Sequence, residues 1–301
     1  MHDTPLAERI LERFDRLPPQ LQAAARFVLE NPREVALLST REQARRAGVS
    51  PAALTRLAQR LDLDGYDALR RLHAQALRAE PGGFAGRAEA LVAGRESADD
   101  ATFLAGFVAA MGEDVGQLGA TRTAAALVRA ADAIAGARRV HFLGLRASFA
   151  VAYAGAYVMG IAGVRAELVD APGGTGIDRL RDLGPQDALL AVSVRPYARD
   201  VRRALAFARE RGTTTLAITD DPISPVARLA DVVVPVRIDT PSFFHAMTPA
   251  FAAMEGLAAL VARRRGGEAP AAARRAEAHL AAFGAYEPAE QARVAEDRRP
   301  R

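Results

Sequence analysis

The fold class this sequence predicts is an all-α amino-terminal domain followed by an α/β domain, a doubly wound sheet of five parallel strands. Three observations predict it. Up to about residue 79, apolar residues recur at helical spacing. From residue 138, short, continuously apolar, β-branched segments alternate with helical ones, as strands buried on both faces of a parallel sheet do. Between them, EPGGFAGRAEALVAGRESADD is rich in Gly, Ala and charge and reads as a linker.

Residues 4–30 hold two helical patterns broken at Pro18-Pro19, and Leu21, Ala24, Ala25, Val28 and Leu29 share one face of the second. Pro32 restarts the chain, and Val35, Ala36, Leu37 and Leu38 form a short apolar turn. Basic helices follow and close a domain expected over 1–79. A linker and connecting helices are expected over 80–137. There Phe103, Phe107, Met111, Val115 and Leu118 make one stripe, with Leu104 and Val108 beside it. The stripe suits packing within the chain or against a second subunit. Strand candidates are RRVHFL (138–143), RAELV (165–169), DALLAVSV (187–194), TTLAIT (214–219) and DVVVPV (231–236). Helices are expected near 148–162, 198–211 and 241–264, giving a domain over 138–265. The tail from 266 to 301 reads as helical or frayed.

Composition narrows the chemistry. The chain has 301 residues, half hydrophobic and a quarter charged, as a globular protein does. It has no Cys, which excludes disulfides and thiolate chemistry, and every basic residue is Arg, which excludes Lys-dependent chemistry. The start, MHDTPLAERILERF, is charged and lacks a signal-peptide core. The uncharged run Phe149–Val164 is shorter than a membrane span and holds three Gly and two Tyr, so a buried helix is expected. The expectation is a cytoplasmic protein with no membrane partner. Residues 39–78 hold eight Arg against four acids, an excess equal to the chain's net +4 and a local attraction for polyanions.

That basic segment contains EQARRAGVSPAALTRLAQRLDLDGY. With helices on Arg41–Ala47 and Pro51–Arg60, Ala44, Gly48 and Leu54 take the fifth, ninth and fifteenth places of a helix-turn-helix. A small residue at Ala44 lets the helices approach, and Gly48 takes the left-handed turn conformation without steric cost. Val49, Leu54 and Leu57 fill the wedge. Ser50 is a good N-cap and Pro51 a good first helical residue. Such a helix lies in the major groove of double-stranded DNA and presents its early residues to base edges. Ser50, Pro51, Ala52, Thr55, Arg56 and Gln59 are the candidates there, with Arg56 suited to guanine and Gln59 to adenine. Thr40, Arg41, Arg45 and Arg60 are the phosphate candidates.

From Ala44 to Leu69 the segment resembles the helix-turn-helix of the RpiR/MurR-type bacterial regulators, A-x-x-A-G-V-S-x-A-T-V-x-R-F-x-x-x-L-G-F-x-G-F-x-x-L. It departs at Ala53 for Thr, which removes one polar contact, at Leu57 for the aromatic and at Asp62 for Gly. The resemblance implies a second, sugar isomerase (SIS) domain that binds phosphorylated sugars. AITDDPISPVARLADVVVPV (217–236) is similar to the SIS pattern A-I-T-x-x-x-x-S-P-L-A-x-x-A-D. SIS domains carry G-x-G-x-S after the first strand and S-x-S-G-x-T after the third, loops that capture anions on open backbone, hydroxyls and a helix start. Here these read GLRAS (144–148) and SVRPYA (193–198). Gly144, Ser148 and Ser193 remain, while Arg146 and Arg195 are new. A guanidinium suits carboxylate or phosphate. The expected effector site is Gly144, Arg146, Ser148, Ser193, Arg195, Tyr197 and Arg199, with Ser242 or His245 from the final helix. The alternative is that these Arg pair with Asp170, Asp178 or Asp200.

The expected function is thus a transcriptional regulator that binds DNA as a homodimer or homotetramer and responds to a small anionic effector, with no cofactor, no metal and no catalytic residue. The alternative is a sugar-phosphate isomerase. That chemistry needs a general base; His141 lies mid-strand, and His245 and Glu255 are about 15 Å apart on one expected helix. A third reading, an assembly protein using the 101–118 stripe, leaves the basic helix pair unexplained.

Overall fold

The computed structural model describes residues 6–79, 83–96, 99–170 and 175–286. It divides into two compact units, Met1–Phe103 with Pro241–Phe244, and Leu104–Thr240 with His245–Arg301.

The first unit is helical: α1 (Leu6–Arg13), α2 (Pro19–Glu30), α3 (Pro32–Leu37), α4 (Thr40–Ala47), α5 (Pro51–Arg60), α6 (Tyr66–Ala79) and α7 (Gly83–Ala93). Pro19 and Pro32 each stand in the first turn of a helix, where the missing N–H is not needed. Leu21, Ala24, Ala25 and Val28 of α2 are buried with Leu54, Leu57 and Ala58 of α5 and Leu69 of α6. A buried polar pair stands in this core. Gln43, fully buried, donates through Nε2 to Val35 O at 3.0 Å and Leu38 O at 2.7 Å, and accepts from the Tyr66 hydroxyl. It ties α3, α4 and α6 together with its polar atoms satisfied. Helix α7 occupies part of the segment expected to be a linker. Its Phe84 ring stacks on Phe244 at 4.7 Å, and Arg87 Nε donates to Phe243 O.

Helix α8 (Asp100–Gly116) carries the expected apolar stripe, but of its long apolar residues only Met111 is buried, while Phe103, Leu104 and Val108 are exposed. The second unit continues with α9 (Thr121–Gly136), β1 (Arg139–Gly144), α10 (Ala147–Ile161), β2 (Ala166–Leu168), β3 (Asp187–Val192), α11 (Arg199–Glu210), β4 (Thr214–Thr219), β5 (Val232–Pro235), α12 (Thr248–Arg265) and α13 (Glu268–Ala282). The five strands are parallel in the order β2-β1-β3-β4-β5. Alternate residues feed two cores. Val140, Phe142, Leu190, Val192, Leu216 and Ile218 meet α9, α10 and α12, while Leu189, Ala191 and Ala217 meet α11.

The strands fall where the apolar runs were expected. The final helix does not: it begins at Thr248 rather than 241, with Pro249 in its first turn. Ser242 and His245 therefore precede α12 rather than ride on it. Helix α10 also differs from the buried helix expected. One side is in the core, but Phe149, Tyr153, Tyr157 and Val158 are exposed on the other. Among the described residues no helix is long and apolar enough to cross a membrane. The stretch after residue 286, expected to fray, lies outside the described residues.

At the entry to the sheet, Asp187 accepts from Arg138 Nε at 3.0 Å and Nη2 at 2.8 Å, and from Gly184 N–H at 3.1 Å. Hydrogen bonding to Arg138 holds this carboxyl below the usual aspartate range. A depressed folded-state pKa contributes stability that is present above the unfolded value and lost as pH falls through the folded one. Asp187→Asn is expected to cost about 1–2 kcal/mol at neutral pH. In urea denaturation, the gap between wild type and variant should close as pH falls below about 4; a gap independent of pH would contradict the charged-pair account.

Candidate functional sites

Helix α4 ends in Gly48, whose backbone is left-handed at φ 66°, ψ 29°. A Cβ there would meet nothing within 4 Å, so glycine is required by the turn and not by space. Ser50 Oγ accepts from Ala53 N–H at 3.2 Å and caps α5, with Pro51 behind it. The cap and the Leu54–Leu57 anchor fix the direction of α5. Its outer face carries Ser50, Pro51, Ala52, Arg56, Gln59 and Arg60 exposed, with Thr55 partly so. Arg41 and Arg45 are exposed on α4, and Thr40 is partly covered.

Three local contacts qualify this face. Arg45 pairs with Glu42 at 2.6 Å while its side chain stays 76% exposed, so a stronger anion can take it over. Thr55 Oγ1 and Arg56 Nε bond back to the carbonyls of Pro51 and Ala52, both at 3.3 Å. Ala53 is fully buried, so its replacement of Thr fills the helical core; the loss of a polar contact expected from the sequence does not apply. Asp62, which stands where the resemblance has Gly, keeps the glycine-like backbone at φ 60° and pairs with Arg13 at 2.6 Å. Asp tolerates that region better than most residues.

In the second unit, β1 leads to α10 and β3 to α11. Gly144 and Val192 are register partners, as are Val192 and Ile218, so the loops after β1, β3 and β4 begin at one level. The order β2-β1-β3 makes the β1/β3 boundary a topological switch point, where open α/β sheets bind ligands. Gly144 is fixed by space: a Cβ would lie 2.3 Å from Ser148 O. Ser148 is buried in the first turn of α10, and Ser193 is buried at the end of β3.

Arg146 is exposed at φ 56°, ψ −129°. Gly266 adopts nearly the same angles after α12, φ 53°, ψ −129°. An L-residue held so costs about 1–3 kcal/mol. Among the described residues Arg146 has no ion pair. Arg195 does, with Asp220 at 2.6 Å, and not with Asp170, Asp178 or Asp200. Those three carboxylates pair with Arg179, Arg181 and Arg203. Tyr197 is half-buried, and burial, then Asp220 and Asp221, push its hydroxyl pKa up. Burial likewise raises the Asp221 carboxyl above the usual aspartate range. Arg199 is exposed at the start of α11. His245 belongs to the second unit, whereas Ser242 lies in the segment grouped with the first.

Sequence reasoning missed Asp220 and Asp221. The signal was the Asp-Asp following AIT, at variable positions between the motif residues Thr219 and Ser224. Those are scaffold. Ser224 Oγ accepts from Ala227 N–H at 3.0 Å and lies 3.2 Å from Thr219 Oγ1. Asp231 accepts from the Thr215 N–H and hydroxyl at 2.8 and 2.9 Å.

A family model described as a helix-turn-helix domain, rpiR family, matches residues 4–80, and a SIS domain model matches residues 133–260. An uncharacterized HTH-type transcriptional regulator of Caldanaerobacter subterraneus is 26% identical over 230 residues, 74% of this chain and 77% of the relative. The crystal structure of the sugar isomerase domain of an RpiR transcription factor from Sphaerobacter thermophilus is 31% identical. It has a TM-score of 0.54 and covers 57% of this chain and 97% of that one. NanR of Vibrio vulnificus, complexed with ManNAc-6P, shares the fold at a TM-score of 0.51 and 18% identity, over 92% of this chain and 98% of that one.

The two glycines make separate predictions. Gly48→Ala is expected to cost about 1 kcal/mol, the penalty of a left-handed backbone alone. Gly144→Ala meets a carbonyl and is expected to cost about 1–3 kcal/mol or more. Denaturant melts of the two variants test this order, and a larger loss at Gly48 would contradict it.

Proposed function

This chain belongs to the RpiR family of transcriptional regulators, with a helix-turn-helix domain ahead of a SIS domain, and from that premise we propose how it reads DNA and what it senses. The start of α5 enters the major groove, with Arg56 and Gln59 on base edges beside Ser50, Pro51, Ala52 and Thr55. Thr40, Arg41, Arg45 and Arg60 grip phosphates. The observation that carries this reading is a capped, well-anchored helix whose outer face is exposed beside exposed arginines. One such helix contacts few bases, so two half-sites and a symmetric oligomer, a homodimer or homotetramer, are needed.

The effector is a small anionic metabolite, a phosphosugar or another phosphate or carboxylate compound, at the carboxyl edge of β1 and β3. Gly144, Arg146 and Ser148 hold the anion, with Ser193, Tyr197 and Arg199 bordering it. Arg146 carries this reading: a strained backbone is retained to present, at a helix start, a guanidinium that has no ion pair among the described residues. The ManNAc-6P complex of NanR supports a phosphorylated ligand for the shared fold. Catalysis is not proposed. His141 sits inside the sheet at 1% exposure, where burial lowers its pKa, and His245 precedes α12. Ligand changes DNA affinity by binding one arrangement of the DNA-binding domains better than another; coupling of about 1–3 kcal/mol shifts operator affinity roughly 5–150-fold.

Arg56→Ala is expected to relax sequence preference, and Arg45→Ala to weaken binding to all duplexes and flatten its salt dependence. Binding titrations over a salt series separate the two, and the reverse pattern rejects the assignment. Arg146→Gly should stabilise the fold by about 1 kcal/mol while losing most anion affinity. Calorimetry with a sugar-phosphate panel and a parallel melt check both, and retained affinity removes Arg146 from the site.

A further inference from the structure

The two new arginines of the switch-point loops are in different electrostatic states. Arg146 is exposed and has no ion pair among the described residues. Arg195 is turned onto the protein: its Nε–H donates to Asp220 Oδ2 at 2.6 Å, and its backbone N–H to Oδ1 at 3.3 Å. Burial, and after it Asp220, raise the pKa of the Tyr197 hydroxyl two residues on. The Asp220 side chain is 2% exposed, whereas that of Arg195 is 51% exposed. A backbone N–H and a guanidinium are the kind of donors with which such a loop captures an anion. Here they already converge on a carboxylate from the end of β4.

We propose that Asp220 sets the charge specificity of the effector site: it is the resident anion of the β3–α11 loop, so this loop takes no phosphate or carboxylate and the effector carries a single anionic group to the β1–α10 loop. This deepens the effector reading above and rests on it. An incoming anion that captured Arg195 would strand a buried carboxylate without its counterion, one of the least favourable arrangements in a protein. It would also lie beside a like charge in a medium less polar than water. The loop after β1 has neither obstacle. Val192 and Gly144 are register partners, so the two loops start roughly 5 Å apart. A compound with one charged end and a neutral, hydroxyl-bearing body fits both, its hydroxyls donating to Asp220 or Asp221. A second anionic group on the ligand would face Asp220 and be rejected.

Inorganic phosphate is the probe, with its affinity for the full chain measured by calorimetry. Asp220→Asn keeps the shape of the side chain and an acceptor oxygen while releasing Arg195 from its counterion; Asp220→Ser replaces it should that variant fail to fold. The variant is expected to bind phosphate at least tenfold tighter than wild type, and the gain should vanish in the Asp220→Asn/Arg195→Gln double variant. Phosphate binding by wild type that Asp220→Asn leaves equal or weaker overturns the proposal and leaves the effector reading standing. So does a tenfold loss in Arg195→Gln alone, because Arg195 would then already serve the anion. No binding by wild type or any variant overturns both.

Discussion

A parallel sheet with helices on both faces can reverse its winding at only one place, and in this chain the reversal falls at β1. The strand order sends β2 to one side of β1 and β3 to the other. Helix α10 therefore leaves toward one face and α11 toward the opposite one. Their first turns part, and the loops after β1 and β3 face a common crevice. The loops that carry Gly144, Arg146 and Ser148 and Ser193, Arg195 and Tyr197 start from neighbouring strand ends for that reason. Each is distant in sequence from the members of the other loop, and no local preference joins them.

Within that frame, positions that need glycine-like backbone are the ones where this chain has changed most tellingly. Among the described residues, the non-glycine residues with positive φ are Asp62 and Arg146. Both stand where the family pattern has Gly. The backbone is kept and the side chain is new. At Asp62 the new carboxylate gains Arg13, an exposed pair worth little by itself. At Arg146 the backbone is less tolerant, and among the described residues its guanidinium has no ion pair to offset the strain. One substitution is thus accommodated by an ion pair, while the other leaves an exposed guanidinium at the start of α10.

Buried polar groups divide along the same line. Gln43 is satisfied on both ends of its amide and locks three helices of the DNA-binding domain. Ser224 and Asp231, the motif residues that stood out in sequence, cap a short turn and tie β4 to the chain entering β5. They are invested in architecture. Asp220 differs: its side chain is buried and committed to a half-exposed arginine at the carboxyl edge of the sheet. Removing one partner of so buried a pair is costly, because it leaves the other charge uncompensated.

The sequence by itself determined what depends on neighbours along the chain. The turn at Gly48, the cap at Ser50, the helical faces of α2 and α5 and the five strands follow from backbone preference and hydrophobic period, and these act over a few residues. The limits of such reading are equally local. Residues 241–247 continue an apolar, aromatic pattern, yet no helix forms until Thr248, and α10 exposes aromatics that composition alone assigned to the interior. Tertiary structure decided which charges meet. Arg195 and Asp220 are 25 residues apart, and their pairing follows from the alignment of β3 with β4. Arginine after β3 could be read from the sequence as a free anion ligand, but its electrostatic state was set by a strand it had not yet met.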